Sequence, residues 1–264
     1  SRLYTAAADV LLHLQTAPAP KALPDLSAKD WAAAAAFALD WYRFAITGDR
    51  VDTAPFVECL STLISRHADG PRVLILRDYH AENLLWLPDR LGRARVGLLD
   101  FQLGQMGQPG YDLVSLLQDA RRDVSPLTEA AICRHFCAAR GDDESTFQTA
   151  YAVLGAQRSL RILGIFARLC LHAGIFGVAA RSAATPAGRS GGAAQHRPDH
   201  RAGAALFPRC RSLCARRQKL CLAGVKLWVA RSAWHGLFRL RALVTSGEPE
   251  AVLLRSGSAF GLNV

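Results

Sequence analysis

The sequence predicts an α+β fold that is mainly helical, on three observations. Long stretches carry apolar residues at helical spacing, three short apolar runs interrupt them mid-chain, and a turn-like segment separates the last two runs. Leu3, Tyr4, Ala7, Val10, Leu11 and Leu14 share one helical face, and a Pro-bearing connector at 17–24 follows. Ser27 with Asp30 three residues on reads as a capping box. It opens a helix to about Ile46 whose core side chains are Trp31, Phe37, Trp41 and Tyr42. Thr53 is placed to cap the next helix, which carries Phe56, Leu60, Leu63 and Ile64. The period then shortens, and residues 73–76, 83–87 and 96–99 read as strands. The last two flank Pro88-Asp89-Arg90-Leu91-Gly92 and so form a small hairpin. Residues 111–120, 127–139 and 145 to about 171 return to helix, the middle one with Ser125 at its cap and Pro126 at its first position. Cys133 and Cys137, four apart on that helix, read as small core residues.

With 264 residues, 50% hydrophobic and 20% charged, the chain has enough apolar text for a proper core, which excludes collagen, wholesale disorder and a disulfide-stapled mini-protein. Arg158, Arg161, Arg168 and His172 punctuate the most hydrophobic region, so no run reaches the ~18–20 residues needed to cross a bilayer. The opening Ser1-Arg2-Leu3-Tyr4 leads into an amphipathic pattern without the parts of an export signal, and the cytoplasm is the expected compartment. Disulfides are not expected there.

Charge divides the chain in two. Residues 1–172 hold 18 Lys and Arg against 19 Asp and Glu, whereas residues 173–264 hold 14 against 3, a balance of +11. The second block is rich in Ala, Arg, Gly and Ser, with twelve Arg and weak helical period. Residues 1–172 are therefore expected to form the folded domain and 173–264 a poorly ordered basic tail or out-of-frame sequence, since arginine-rich, acid-poor text is what a GC-rich coding region gives in the wrong frame. Reading the coding DNA in the other two frames tests this, and it is wrong if neither continues the helical pattern. A basic tail also offers a rival function, non-specific nucleic-acid binding through Arg contacts to phosphate, although no aromatic interleaving or finger accompanies it. His196, His200, Cys210 and Cys214 have zinc-like spacing, but the gap of nine between the pairs is short and no knuckle pattern surrounds them.

The chemistry is concentrated in Leu74-Ile75-Leu76-Arg77-Asp78-Tyr79-His80-Ala81-Glu82-Asn83-Leu84-Leu85, followed seventeen residues after Asn83 by Asp100 in Leu98-Leu99-Asp100-Phe101. This places a carboxylate on the loop leaving one strand, an amide five residues on, and a second carboxylate at the end of the next hairpin strand. Phosphoryl transfer from a nucleotide needs such a set: a base for the attacking hydroxyl and oxygen ligands for Mg²⁺ bridging the phosphates. Asp78 would be the base, Asn83 and Asp100 the metal ligands. His80 either orients substrate or fills the loop, Glu82 reads as solvated or paired with Arg77, and Asp119, Arg121 and Arg122 as surface charge at a helix end.

At these residues the sequence resembles the aminoglycoside phosphotransferase family, the small-molecule branch of the protein-kinase-like fold. That family's loop is His-x-Asp-x-x-x-x-Asn, with its metal Asp ending an apolar strand as Asp100 does; Leu76 stands where the His is usual. Tyr111-Asp112-Leu113 fits the family's later Asp-Leu, which implies that Asp112 braces the catalytic loop. Asp-Tyr-His-x-x-Asn-Leu, Leu-Asp-Phe-Gln, Tyr-Asp-Leu-Val-Ser-Leu-Leu-Gln-Asp-Ala and the stretch from Gln157 to Gly164 look most like the subgroup that phosphorylates cell-wall amino sugars, the N-acetylmuramate/N-acetylglucosamine kinases. The resemblance, over roughly residues 1–171, implies the C-terminal lobe of a kinase-like fold, with ATP and Mg²⁺ as cofactors and an amino sugar as small-molecule substrate. It also implies a departure. The phosphate-covering N-terminal lobe and its Lys have no counterpart here, because Lys21 and Lys29 lie in a connector and a helix start, so the chain is expected to be inactive alone and to bind nucleotide weakly if at all. A pseudokinase-like scaffold with an open cleft is a further reading.

Overall fold

The second helix starts as its capping pattern predicts: the Asp30 amide donates to Ser27 Oγ (3.2 Å) and the Ser27 amide to Asp30 Oδ2 (2.9 Å). In the computed structural model, which describes residues 2–172 apart from positions 19, 21 and 120, this helix is α2 (Ala28–Phe37) and follows α1 (Arg2–Thr16). The basic block at 173–264, with the zinc-like spacing of His196, His200, Cys210 and Cys214, lies outside the described residues.

Sequence periodicity predicts one helix as far as Ile46, and here the structure differs. After Phe37 the chain widens into a π-helical stretch, Ala38–Arg43, before a last α turn, α3 (Phe44–Thr47), stopped by Gly48 at φ +81°. Helix α4 (Ala54–His67) has Thr53 at the cap position, yet its hydroxyl makes no capping bond; Asp52 Oδ1 accepts the Ala54 amide instead (3.0 Å). Ser125 does cap α6 (Pro126–Arg140), accepting the Thr128 amide at 3.2 Å. Helix α5 (Tyr111–Leu117) is shorter than its apolar pattern suggests, and α7 (Glu144–His172) is the long final one.

The strands are short. The hairpin expected from the sequence is present as β2 (Leu84–Trp86) paired antiparallel with β3 (Val96–Leu98). β1 (Val73–Ile75) pairs antiparallel with β4 (Gln105–Gly107), a partner that Gln-Met-Gly does not announce because it has no apolar alternation to read.

The core lies where α2 crosses α4 and α7, with α1 and α5 closing its other side. Trp31 and Tyr111 sit at its centre with ring centroids 4.8 Å apart, and Cys133 and Cys137 are buried as read. Each fully buried large apolar side chain contributes about 1.5–3 kcal/mol. Alanines at 32, 35 and 36 let α2 approach its neighbours closely, and Gly164 of α7 completes the fit. A Cβ at position 164 would overlap the carbonyl carbon and oxygen of Phe37, where α2 gives way to the π-helical stretch. Phe37 and Trp41 are less buried than the helical period implies. Trp41 is half-buried, with the guanidinium groups of Arg50 and Arg168 at 5.9 and 5.6 Å from its ring. No helix among the described residues is long and apolar enough to cross a membrane.

Candidate active site

The loop after β1 turns at once. The Asp78 amide donates to the Leu76 carbonyl (2.9 Å), closing a three-residue turn with Arg77 at its centre at φ +70°. A non-glycine residue in this region costs about 1–3 kcal/mol and persists only where its surroundings hold it. Those surroundings are visible. Asp112 on α5 accepts the amide of Leu76 through Oδ2 (2.6 Å) and that of Arg77 through Oδ1 (2.9 Å). Arg158 of α7 donates to Ser115 Oγ (2.7 Å), whose hydroxyl reaches toward the Arg77 carbonyl. Tyr79 is buried, and its hydroxyl donates to the Ala7 carbonyl of α1 (2.9 Å). The Leu76 side chain, where the family pattern has His, packs into the core, so the anchor of this loop is its backbone gripped by Asp112.

Asp112 is fully buried, and burial pushes its carboxyl up to about 6, against the pull of the two amides and of Arg158. Burial likewise raises the Tyr79 hydroxyl and lowers the Arg158 guanidinium.

Asn83 and Asp100 meet at one end of the hairpin. In the β2–β3 register Leu84 faces Leu98, and one step further out the Leu99 amide donates to the Asn83 carbonyl (2.9 Å), which sets Asp100 immediately beside Asn83. The Asn83 side chain turns back to the first loop, where Nδ2 donates to the Asp78 carbonyl (2.9 Å). With its nitrogen committed there, the amide oxygen Oδ1 is its remaining acceptor. Asp100 is exposed, holds the only other positive non-glycine φ among the described residues (+55°), and accepts from Gln102 Nε2 through Oδ1. Both left-handed non-glycine residues of the described fold thus flank this one corner. Of the five residues singled out in the sequence, Asn83 bonds the Asp78 backbone and the His80 ring, its own backbone pairs with Leu99 next to Asp100, and Asp112 grips the amides just before Asp78.

Two protein oxygens, Asn83 Oδ1 and an Asp100 carboxylate oxygen, are hard donors of the kind and number that Mg²⁺ takes when phosphates and water complete its shell. Among the described residues no three His, Cys, Asp or Glu group closely enough to hold a metal by themselves. The donor set therefore fits a cation shared with phosphate. Two recesses of about 640 and 520 Å³ lie elsewhere, between α1 and the tip of the hairpin around His13, Gly92 and Arg93, and neither touches Asp78, Asn83 or Asp100.

Sequence reasoning misjudged the neighbours of His80. Arg121 is not idle surface charge: its Nη1 lies 3.0 Å from each ring nitrogen of His80 and 3.0 Å from Glu82 Oε2. Glu82 pairs with Arg121, not Arg77, and Asp119 is buried, with its Oδ1 accepting the Arg121 amide at 3.2 Å. The Arg121 contacts with His80 and Glu82 span about forty residues of sequence, so no local pattern marks them. His80 itself is buried, and burial followed by the Arg121 charge holds its ring below the usual histidine range, hence neutral at pH 7.

Residues 1–147 match the phosphotransferase enzyme family (APH), and the chain belongs to that family. It is similar to the N-acetylmuramate/N-acetylglucosamine kinase of Caulobacter vibrioides, 43% identical over 184 residues, which is 65% of this chain and 51% of that protein. Proteins of the same name from Pseudomonas aeruginosa (30% identical over 141 residues; 50% of this chain, 40% of that protein) and Neisseria meningitidis serogroup B (34% over 119; 42% and 34%) are also similar. The chain spans about half the length, or less, of the curated relatives it matches.

Proposed function

We propose that this family member is the substrate-side lobe of an ATP-dependent kinase that phosphorylates a hydroxyl of a cell-wall amino sugar. The observation that supports the proposal is that the Asn83 amide bonds the Asp78 backbone while the Asn83 backbone pairs with Leu99 beside Asp100, with positive φ at Arg77 and Asp100. In this reading Asp78 accepts the proton of the attacking sugar hydroxyl, and Asn83 and Asp100 orient the phosphates by holding Mg²⁺ through their side-chain oxygens. The ion supplies neutralisation of phosphate charge. Asp112 does not react; it holds the amides on either side of the turn that aims Asp78. The names of the relatives support N-acetylmuramate and N-acetylglucosamine as substrates, and use of ATP would place the reaction in the cytoplasm.

The described residues include no sheet to cover the nucleotide, so residues 2–172 on their own are proposed to be inactive. A chimera that joins the N-terminal half of the Caulobacter vibrioides relative to this chain tests the assignment. It should transfer phosphate from ATP to N-acetylmuramate, and Asp78→Asn should cut turnover by ~10²–10⁴ without changing the fold. Unchanged turnover in Asp78→Asn removes Asp78 from its role. The +11 balance of residues 173–264 favours a second reading, non-specific nucleic-acid binding. A salt titration against random duplex DNA separates the two, because only tail-dependent affinity with a steep salt slope supports it.

A further inference from the structure

The Arg121–His80 pair has no part in the chemistry above, yet it ends on Asn83. The Asp78 carbonyl can only accept, so the atom of the Asn83 amide 2.9 Å from it is the nitrogen. That same Nδ2 lies 3.2 Å from His80 Nε2. A nitrogen facing an NH₂ group has to be the unprotonated one, so the ring is neutral with its proton on Nδ1. Arg121 Nη1 lies 3.0 Å from both ring nitrogens, so it pins the ring without choosing between the tautomers, and it is itself held by Glu82 Oε2 (3.0 Å) and flanked by the buried Asp119. A ring turned over would bring Cε1 in place of Nε2 against the amide, a proton on Nε2 would set donor against donor, and a flipped amide would set acceptor against acceptor at the Asp78 carbonyl.

We infer that His80, locked by Arg121, is the positioning residue that fixes the rotamer of the Asn83 amide and so aims Oδ1 at the cation site. His80 touches neither substrate nor ion; it acts only through Asn83. The inference rests on the reading of Asn83 as a cation ligand, and it resembles the outer-shell partners of metal ligands, whose loss typically costs 10–100-fold in affinity.

The test uses the full chain and Mn²⁺ as a spectroscopic stand-in for Mg²⁺. Electron paramagnetic resonance gives the Mn²⁺ affinity of the wild type, His80→Phe, His80→Gln and Asn83→Leu, with urea unfolding as the control for stability. His80→Phe, which offers Nδ2 no acceptor, should weaken Mn²⁺ at least ~10-fold. His80→Gln, whose amide oxygen can accept from Nδ2, should recover much of the loss. A His80→Phe affinity equal to the wild type, while Asn83→Leu loses the ion, overturns the inference and leaves the cation reading intact. Equal affinity in Asn83→Leu and wild type overturns the cation reading itself. Should His80→Phe fail to fold, the ¹⁵N resonances of the wild-type imidazole decide: protonated Nδ1 with bare Nε2 is expected, and a proton on Nε2 refutes the inference.

Discussion

Replacing Asp112 with Asn isolates one buried charge. The carboxyl is fully buried, and its pKa of about 6 lies above the 3.8 of an exposed aspartate. Between about pH 4 and 6 the folded protein therefore holds a proton that the unfolded chain has released, so this group makes the fold less stable as pH rises through that window. A shift of about two units corresponds to roughly 3 kcal/mol, fully lost above about pH 6 and regained below pH 4. Asn cannot ionise, so it escapes this loss. However, it offers one acceptor where the Leu76 and Arg77 amides need two, and a buried amide left without a partner costs about 1–3 kcal/mol. Asp112→Asn is thus expected to be less stable than wild type by about 1–3 kcal/mol at pH 4 and equal to it or up to about 2 kcal/mol more stable at pH 7. Urea unfolding of both proteins at pH 4 to 8 gives the difference curve directly. A flat difference, or a wild type that gains on the variant as pH rises, would mean that the two amides and Arg158 outweigh burial, and the reasoning fails.

Other perturbations test the packing that carries the site. Gly164→Ala gains about 1 kcal/mol of helix propensity, but its Cβ would overlap the Phe37 backbone, which has no side-chain freedom with which to yield. A net loss of about 1–3 kcal/mol in urea unfolding is expected, and an unchanged or raised stability would show that α2 and α7 do not meet backbone to backbone. Tyr79→Phe removes the bond to Ala7 that ties the loop after β1 to α1, while the Ala7 carbonyl keeps its helical partner, so a cost of about 0.5–1.5 kcal/mol should appear in the same assay.

Much of this was legible in the sequence because the signals were local. Ser27 and Asp30 stand three apart, as a capping box demands, and the apolar runs around 84 and 97 enclose an obvious turn. The order Asp78, Asn83, Asp100 is likewise written in a loop and a hairpin. What escaped the sequence was whatever depends on distant partners: β4, recruited by β1 from thirty residues away; the wide turn at Ala38–Arg43, set against Gly164; and the grip of Arg121 on His80. A charged residue at a helix end reads as solvated until the chain that folds over it is known.

Paramagnetic broadening by Mn²⁺ in ¹H–¹⁵N spectra of the labelled chain tests the common edge most directly. The backbone amides of residues 78, 83 and 100 and the Asn83 side-chain amide should broaden first, together and with one titration midpoint, and Asp100→Asn should shift that midpoint for all of them. Broadening that begins elsewhere, or that reaches 83 and 100 with different midpoints, would mean that these side chains do not share a cation.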